Sequence, residues 1–209
     1  WTSVLLSLVS TVICLLLAYP LGLILKKSGM GQKGLLVFLF VLPMWMNFLL
    51  RTMAWQVLLE KKGVINTILQ SLGFSGLRLI NTPAAIVMGM VYDFLPFMVM
   101  PIYNVLAKID DRVIEAARDL GANNFQVFRY IILPLSVPGI VSGVTMVFVP
   151  ALTTFVISNM LGGGKILLIG NVIEQEFTVG NNWHLGAGLS LVMMIFILVS
   201  MAFIAKFDK

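Results

Sequence analysis

The 209-residue sequence predicts an all-α fold, a polytopic bundle of membrane-spanning helices. Three observations lead there. First, 59% of the residues are hydrophobic and only 11% are charged, whereas soluble domains carry about 25% charged residues; the mean hydropathy is +1.01. Second, five apolar stretches reach the roughly 20 residues that a helix needs to cross a bilayer core. Third, basic residues are shared unevenly between the segments that join those stretches, as happens when Lys and Arg collect on cytoplasmic loops.

In chain order the expected spans cover residues 3–25, 35–59, 84–107, 131–157 and 185–205, and together they make one transmembrane domain over 1–209. Pro20, Pro43, Pro96, Pro101, Pro134 and Pro138 fall within or at the ends of these spans. Proline inside a spanning helix is tolerated where neighbouring helices satisfy the freed carbonyls. Repeated prolines therefore predict a packed, kinked bundle rather than simple anchors. Cys14 is the single cysteine and lies in the first apolar run, so no internal disulfide is possible.

The charges orient the bundle. One set of connections holds Lys26, Lys27, Lys33, Lys108, Arg112, Arg118, Arg129, Lys206 and Lys209; the other holds Lys61, Lys62, Arg78 and Lys165. Arg51 is left inside the second span. The richer side is expected in the cytoplasm, which puts Trp1 outside and Lys209 inside. A cytoplasmic start would take one further helix before Trp1, so a preceding span is expected. The net charge of +5 then reports membrane topology and not a nucleic-acid partner.

The connection of about 108–130 is a polar elbow between spans three and four. Asp110 or Asp111 can cap a helix there. Val113, Ala117 and Leu120 form one apolar stripe at helical spacing. Gly121 suits the left-handed position past a helix end, and Asn123 or Asn124 can start the helix that re-enters the membrane. So short a helix is not stable alone and must pack on something. Within the elbow, Glu115-Ala116-Ala117, three residues, Gly121, nine residues, Ile131, one residue and Leu133-Pro134 follow the pattern EAA-x3-G-x9-I-x-L-P.

That pattern resembles the cytoplasmic signature of the integral-membrane permease subunits of bacterial ABC importers, and the fold it implies is the type I importer permease bundle. The resemblance implies that the elbow is a coupling helix seated in a groove of an ATP-binding cassette ATPase subunit. Glu115, Ala116, Ala117 and Gly121 would dock, with Arg118 and Asp119 on the more exposed face. Two alanines allow close approach, Glu115 can meet a basic group, and Gly121 permits the turn. Closing of the ATPase pair would push the elbow, and spans three and four would carry the movement outward. ATP and Mg would be bound by that partner and no cofactor by this chain. A second permease subunit, an extracytoplasmic substrate-binding protein and the lipid of the bacterial cytoplasmic membrane complete the implied partners. "LPMWMNFLLRTMAWQVLL", "VYDFLPFMVMPIYNVLAKID" and "TTFVISNMLGGGKILLIGNVIEQEF" look like the spermidine/putrescine permeases, more those of the B type than the C-type partner.

The membrane interior offers an independent hint of a cationic substrate. Asp93 lies about ten residues into span three, roughly 15 Å deep at 1.5 Å per residue. An acid at that depth is a functional candidate. Tyr92 and Phe94 flank it, and Trp45 and Trp55 lie in span two; an acid with aromatic faces suits a polyamine. Arg51, roughly 12 Å deep by the same rise, can instead pair with Asp93 and give both a structural role. The aromatics can equally face lipid or the core.

Outside, "GVINTILQSLG" predicts a short interfacial helix with Val64, Ile65, Ile68, Leu69 and Leu72 on its apolar stripe. Residues 158–184 read as richer in turns, with Glu174 and Glu176 as solvated charges or as contacts for a cation or a binding protein. Trp183 suits an interfacial belt, and His184 is the single histidine with no metal constellation around it. Gly162-Gly163-Gly164-Lys165 is not a phosphate loop, because Ile166 stands where that loop needs a hydroxyl and the site is on the outer side. No Ser-His-Asp set, HExxH or cysteine cluster is present, so the sequence does not read as an enzyme. The expectation is a polyamine permease subunit; the alternatives are an ABC permease for another small solute, or a secondary transporter with Asp93 as its only intramembrane relay.

Overall fold

The computed structural model of the chain describes residues 1–27, 38, 42–73 and 76–205. Among them every regular element is helical. Helix α1 is Thr2–Lys27, α2 Phe48–Leu59, α3 Val64–Ser71, α4 Pro83–Lys108 and α5 Asp111–Asp119. Helix α6 runs Asn124–Thr153, α7 is Val156–Leu161, α8 Ile169–Thr178 and α9 Trp183–Ala205. Four of these, α1, α4, α6 and α9, are long and apolar enough to cross a membrane.

The second expected span is not one continuous helix. Leu42–Trp45 form a 3-10 turn, the chain breaks at Met46 and Asn47, and α2 has only 12 residues. Asn47 causes the restart: its Oδ1 accepts from Leu49 N at 2.8 Å, as an N-cap does. Pro43 has no N–H to continue a ladder. Most of the expected start of this span, along with Lys33, Lys206 and Lys209 of the charge count, lies outside the described residues.

The order of contacts fixes how the long helices run. Ser10 Oγ meets Met90 Sδ at 3.4 Å, and Cys14 Sγ faces Val91 O at 3.8 Å. Gly22 abuts Ile102 and Leu106, and Lys26 Nζ donates to Ile109 O at 3.0 Å. Partner numbers rise together, so α1 and α4 are parallel. Against α6 the order reverses: Gly139 abuts Pro101 and Val105, and Gly143 abuts Met98. Parallel successive helices oblige residues 28–82 to return from one end of the bundle to the other, with α2 on that path. Lys26, Lys27, Lys108, Arg112, Arg118 and Arg129 then share one end, and Lys61, Lys62, Arg78 and Lys165 the other, as the charge count requires.

Helix α4 is the axis of the core. Ile86, Met90, Met98, Val99, Ile102 and Leu106 are buried on it, against Cys14 and Ala18 of α1 and Val147 and Ala151 of α6. Glycines at the crossings let backbones close: a Cβ on Gly143 would lie 2.7 Å from Met98 Sδ and 3.3 Å from its carbonyl. Helix α9 packs least and turns Leu191, Val192, Leu198 and Phe203 outward, which suits a lipid-facing or subunit-facing span.

Two expectations need correction at the outer end. The fourth span stops at Thr153 rather than 157, and residues 158–184 are not mainly turns but contain α7 and α8. At the break Gly170 packs so near that any Cβ there would overlap the carbonyls of Thr153 and Thr154. Buried Asn171 then satisfies freed groups, donating to Phe155 O at 3.1 Å and Asn159 Oδ1 at 2.7 Å, and accepting from Leu168 N at 2.9 Å.

Candidate functional site

The elbow is built by its two ends. Asp110 caps α5, its Oδ1 accepting from Arg112 N at 2.9 Å. At the other end Gly121 N donates to Arg118 O at 2.8 Å and Ala122 N to Ala117 O at 3.0 Å, with Gly121 at φ +87°. No atom lies within 4 Å of a Cβ built there, so the glycine serves conformation rather than space. Asn123 and Gln126 then cap α6 reciprocally at 2.8 Å each. Of the two caps each left open by the sequence, Asp110 and Asn123 are the ones used.

Between these ends α5 buries nothing. Glu115, Ala116, Arg118, Asp119 and Gly121 are exposed, and Ala117 is half-buried. The expected apolar stripe is not covered by the rest of the chain: Val113 is exposed and Leu120 is 90% exposed, while half-buried Ile114 makes the contact with the core. Arg118 Nη2 donates to Asn124 Oδ1 at 3.1 Å, bracing the turn across Gly121. A nine-residue helix is too short to hold itself, so its shape depends on these caps.

Two further residues grip the elbow from α1. Lys26 Nζ, besides its bond to Ile109 O, pairs with Asp111 Oδ1 at 3.0 Å. Tyr19 Oη hydrogen bonds with Ser136 Oγ at 2.8 Å, and its ring meets Phe128 edge-on at 5.7 Å. Phe128 opens a π-type turn over Phe128–Ile132, in which Leu133 N reaches back to Phe128 O. Pro134 explains the wide turn, since its ring would crowd the carbonyl four residues back, and such turns recur at functional hinges.

Inside the bundle Arg51 and Asp93 face each other, 7% and 1% exposed, with Nε 3.3 Å from Oδ1. Neither atom makes an aligned hydrogen bond, so this is a Coulombic contact. Arg51 Nη1 donates to Pro43 O at 3.1 Å, and the one proton of Thr52 Oγ1 is shared between Phe48 O at 3.0 Å and Asp93 Oδ2 at 3.4 Å. Trp55 packs edge-on against Tyr92 at 5.2 Å, beside the pair in sequence. Trp45 stands apart: it is 77% exposed and packs on Phe38. Thr52 and Lys26 had no motif to mark them; only the packing of α1 and α2 on α4 reveals their role.

At the outer end buried Asn66 donates to Glu60 O and Leu77 O at 3.0 Å and accepts from Leu77 N at 2.9 Å. It pins α3 so that Val64, Ile68 and Leu72 point outward, as an interfacial helix requires. Glu174 and Glu176 are half-buried on α8. Trp183 is exposed and packs edge-on against Phe177 at 5.6 Å. His184 is exposed, and among the described residues no group of His, Cys, Asp and Glu could hold a metal.

With this geometry in hand, the likenesses to known proteins agree. The chain is 44% identical over 205 residues to the spermidine/putrescine transport system permease protein PotB of Haemophilus influenzae, covering 95% of this chain and 72% of the relative. It is 42% identical to PotB of Escherichia coli K12, over 90% and 70% of the two chains. The inner membrane ABC transporter permease protein YdcU of the same organism is 30% identical, over 94% and 67%. The fold matches a chain of a bacterial alginate ABC transporter with TM-score 0.80 at 15% identity, covering 100% of this chain and 76% of that one. It matches a chain of the inward-facing MetNI methionine ABC transporter with TM-score 0.70 at 19% identity, covering 100% and 94%. Residues 5–209 match the binding-protein-dependent transport system inner membrane components; the chain belongs to that family, as a multi-pass permease of the cytoplasmic membrane and not an enzyme.

Proposed function

We propose that this chain is one of two permease subunits forming the path of an ATP-driven polyamine importer. The observation that carries the coupling half is the elbow helix: capped at both ends, held at its base and presenting Glu115, Ala116, Arg118 and Asp119 to solvent. Such a helix is shaped for a socket that lies on another subunit. ATP-binding cassette subunits would supply that socket and bind ATP and Mg, and an extracytoplasmic binding protein would deliver the substrate from the opposite end.

The polyamine half rests on the relatives whose names specify spermidine and putrescine, and on the interior of the bundle. Asp93 is the one buried acid among the described residues. Tyr92 and Trp55 pack edge-on beside the pair, whereas Trp45 stands apart from it. In this conformation Arg51 neutralises Asp93, so a substrate ammonium would reach the carboxylate only after that pair opens. A self-sufficient secondary transporter would have to run its whole relay through this one neutralised acid, which disfavours that reading.

Purification tests the coupling. ATPase subunits should accompany the wild type and be lost with Gly121→Arg or Glu115→Lys; uptake in their absence would reject the proposal. ATP hydrolysis by the reconstituted complex, with binding protein loaded with spermidine, putrescine or neither, tests the substrate. No stimulation by either polyamine would favour a permease for another small solute.

A further inference from the structure

The elbow has two legs, the end of α4 and the start of α6, and the pattern EAA-x3-G draws attention to nothing else. The structure places a third element against both. Near its cytoplasmic end α1 meets the first leg through Lys26, whose ammonium lies 3.0 Å from both Ile109 O and Asp111 Oδ1. The Lys26 side chain is only 14% exposed, although Asp111 is 76% exposed, so the lysine is held along the bundle and reaches both partners at the end of α4. Ile109 is the C-cap of α4, and its carbonyl is among those a helix end leaves without a partner in its own ladder. The lysine thus closes the end of α4 and the first turn of α5 into one unit.

The second leg is met less than two turns further into α1. Tyr19 bonds Ser136 at 2.8 Å and packs edge-on against Phe128. Between the two grips Gly22 brings the α1 backbone onto α4, with a Cβ there only 3.2 Å from Ile102 and Leu106. Tyr19 touches both sides of the π-type turn, Phe128 at its first residue and Ser136 one turn beyond its last. The second leg can therefore flex at residues 128–132 only by sliding its ring contact past Tyr19.

We infer that Lys26 and Tyr19 form a clasp by which α1 moves with the elbow, so that displacement of α5 is transmitted through three helices. This rests on the docking reading above. Both act through the elbow and are positioning residues. Packed helices can slide in shear motions, and two polar attachment points tie α1 to both legs of the elbow against such sliding.

The test uses the complete reconstituted importer, assayed with spermidine-loaded binding protein for uptake and for ATP hydrolysis. Lys26→Met and Tyr19→Phe should both retain the ATPase subunits on purification. Each should lower uptake per ATP hydrolysed, by about three- to tenfold for Lys26→Met and about two- to threefold for Tyr19→Phe. Lys26→Arg, which keeps the charge and donors, should stay within about twofold of wild type. A ratio unchanged in both Lys26→Met and Tyr19→Phe overturns the clasp. Loss of the ATPase subunits from Lys26→Met, with wild type intact, also overturns it, because Lys26 would then be part of the socket contact. Failure of the wild type itself to retain ATPase subunits sinks the docking reading and the clasp with it.

Discussion

Breaking the buried pair at its acidic end, Asp93→Asn, leaves a guanidinium 7% exposed with the Pro43 carbonyl as its hydrogen-bond acceptor. Removing one partner of a buried ion pair costs about 3–5 kcal/mol. The lower end applies here, since Nε and Oδ1 are 3.3 Å apart without an aligned hydrogen bond. The reverse change, Arg51→Met, strands a carboxylate that is 1% exposed with one long bond from Thr52 at 3.4 Å, and about 3 kcal/mol is again expected. The double variant buries no charge. It forfeits the Arg51–Pro43 bond, about 1 kcal/mol, while the amide of Asp93→Asn keeps an oxygen for Thr52, and so should lose about 1–2 kcal/mol rather than about 6. The quantity to measure is unfolding free energy of the purified protein in detergent micelles for all four members of the cycle. Additive losses would refute the claim that these charges compensate each other. Uptake by the same four proteins decides the second question: transport preserved in the double variant removes Asp93 as a substrate ligand, because no carboxylate remains.

Three further changes probe other joints. Gly143→Val should cost about 1–3 kcal/mol by overpacking, since its Cβ would press on Met98. Adding Met98→Ala should recover part of the folded yield in membranes, and no recovery would show that the backbone approach, not the thioether, is limiting. Gly121→Ala meets no atom but must hold φ +87°, at about 1 kcal/mol; co-purified ATPase should fall by less than tenfold, against complete loss for Gly121→Arg. Asn66→Ala strands Glu60 O, Leu77 O and Leu77 N, at about 1–3 kcal/mol for each group that water does not reach. Trypsin added outside should then cut at Lys61, Lys62 or Arg78 faster than in wild type, and equal protection would mean that the loop is held by other contacts.

What the sequence made legible, and what it hid, divides along the range of the cause. Helices α1, α4 and α9 begin and end within two residues of their expected bounds, because length and apolarity are local and the bilayer tolerates little else. The elbow was legible for the same reason: Asp110, Gly121 and Asn123 act on their own neighbours. The break at Met46–Asn47 had a local signal as well, Pro43 followed by a capping Asn, but a hydropathy reading averages over it. The stop at Thr153 had none. There Gly170, which comes from the far side of α7, packs on the carbonyls of Thr153 and Thr154, a long-range contact, and α7 and α8 flank the glycines at 162–164.

Charges in the bundle behave differently from apolar residues, and this is why the Asp93–Arg51 pair is one of two readings open before any packing is known. A buried charge must find a partner or cost several kcal/mol, so few arrangements are admissible, and depth along two spans puts the Arg51 pair among them beside a substrate-facing role for Asp93. Apolar side chains at the helix crossings can satisfy themselves in many ways, so their partners stay hidden until the helices are placed. Lys26 falls between the two cases. Its position at a span end reads as topology, one more positive charge inside, and the structure does put it at the same end of the bundle as Lys27, Lys108, Arg112, Arg118 and Arg129. Yet a lysine that only marked topology would stand in water. Lys26 instead spends its ammonium on the first leg of the elbow, with 14% of the side chain exposed. That placement separates a structural strut from Lys27, Lys108, Arg112, Arg118 and Arg129, which are exposed, and it appears only once α1 is laid parallel to α4.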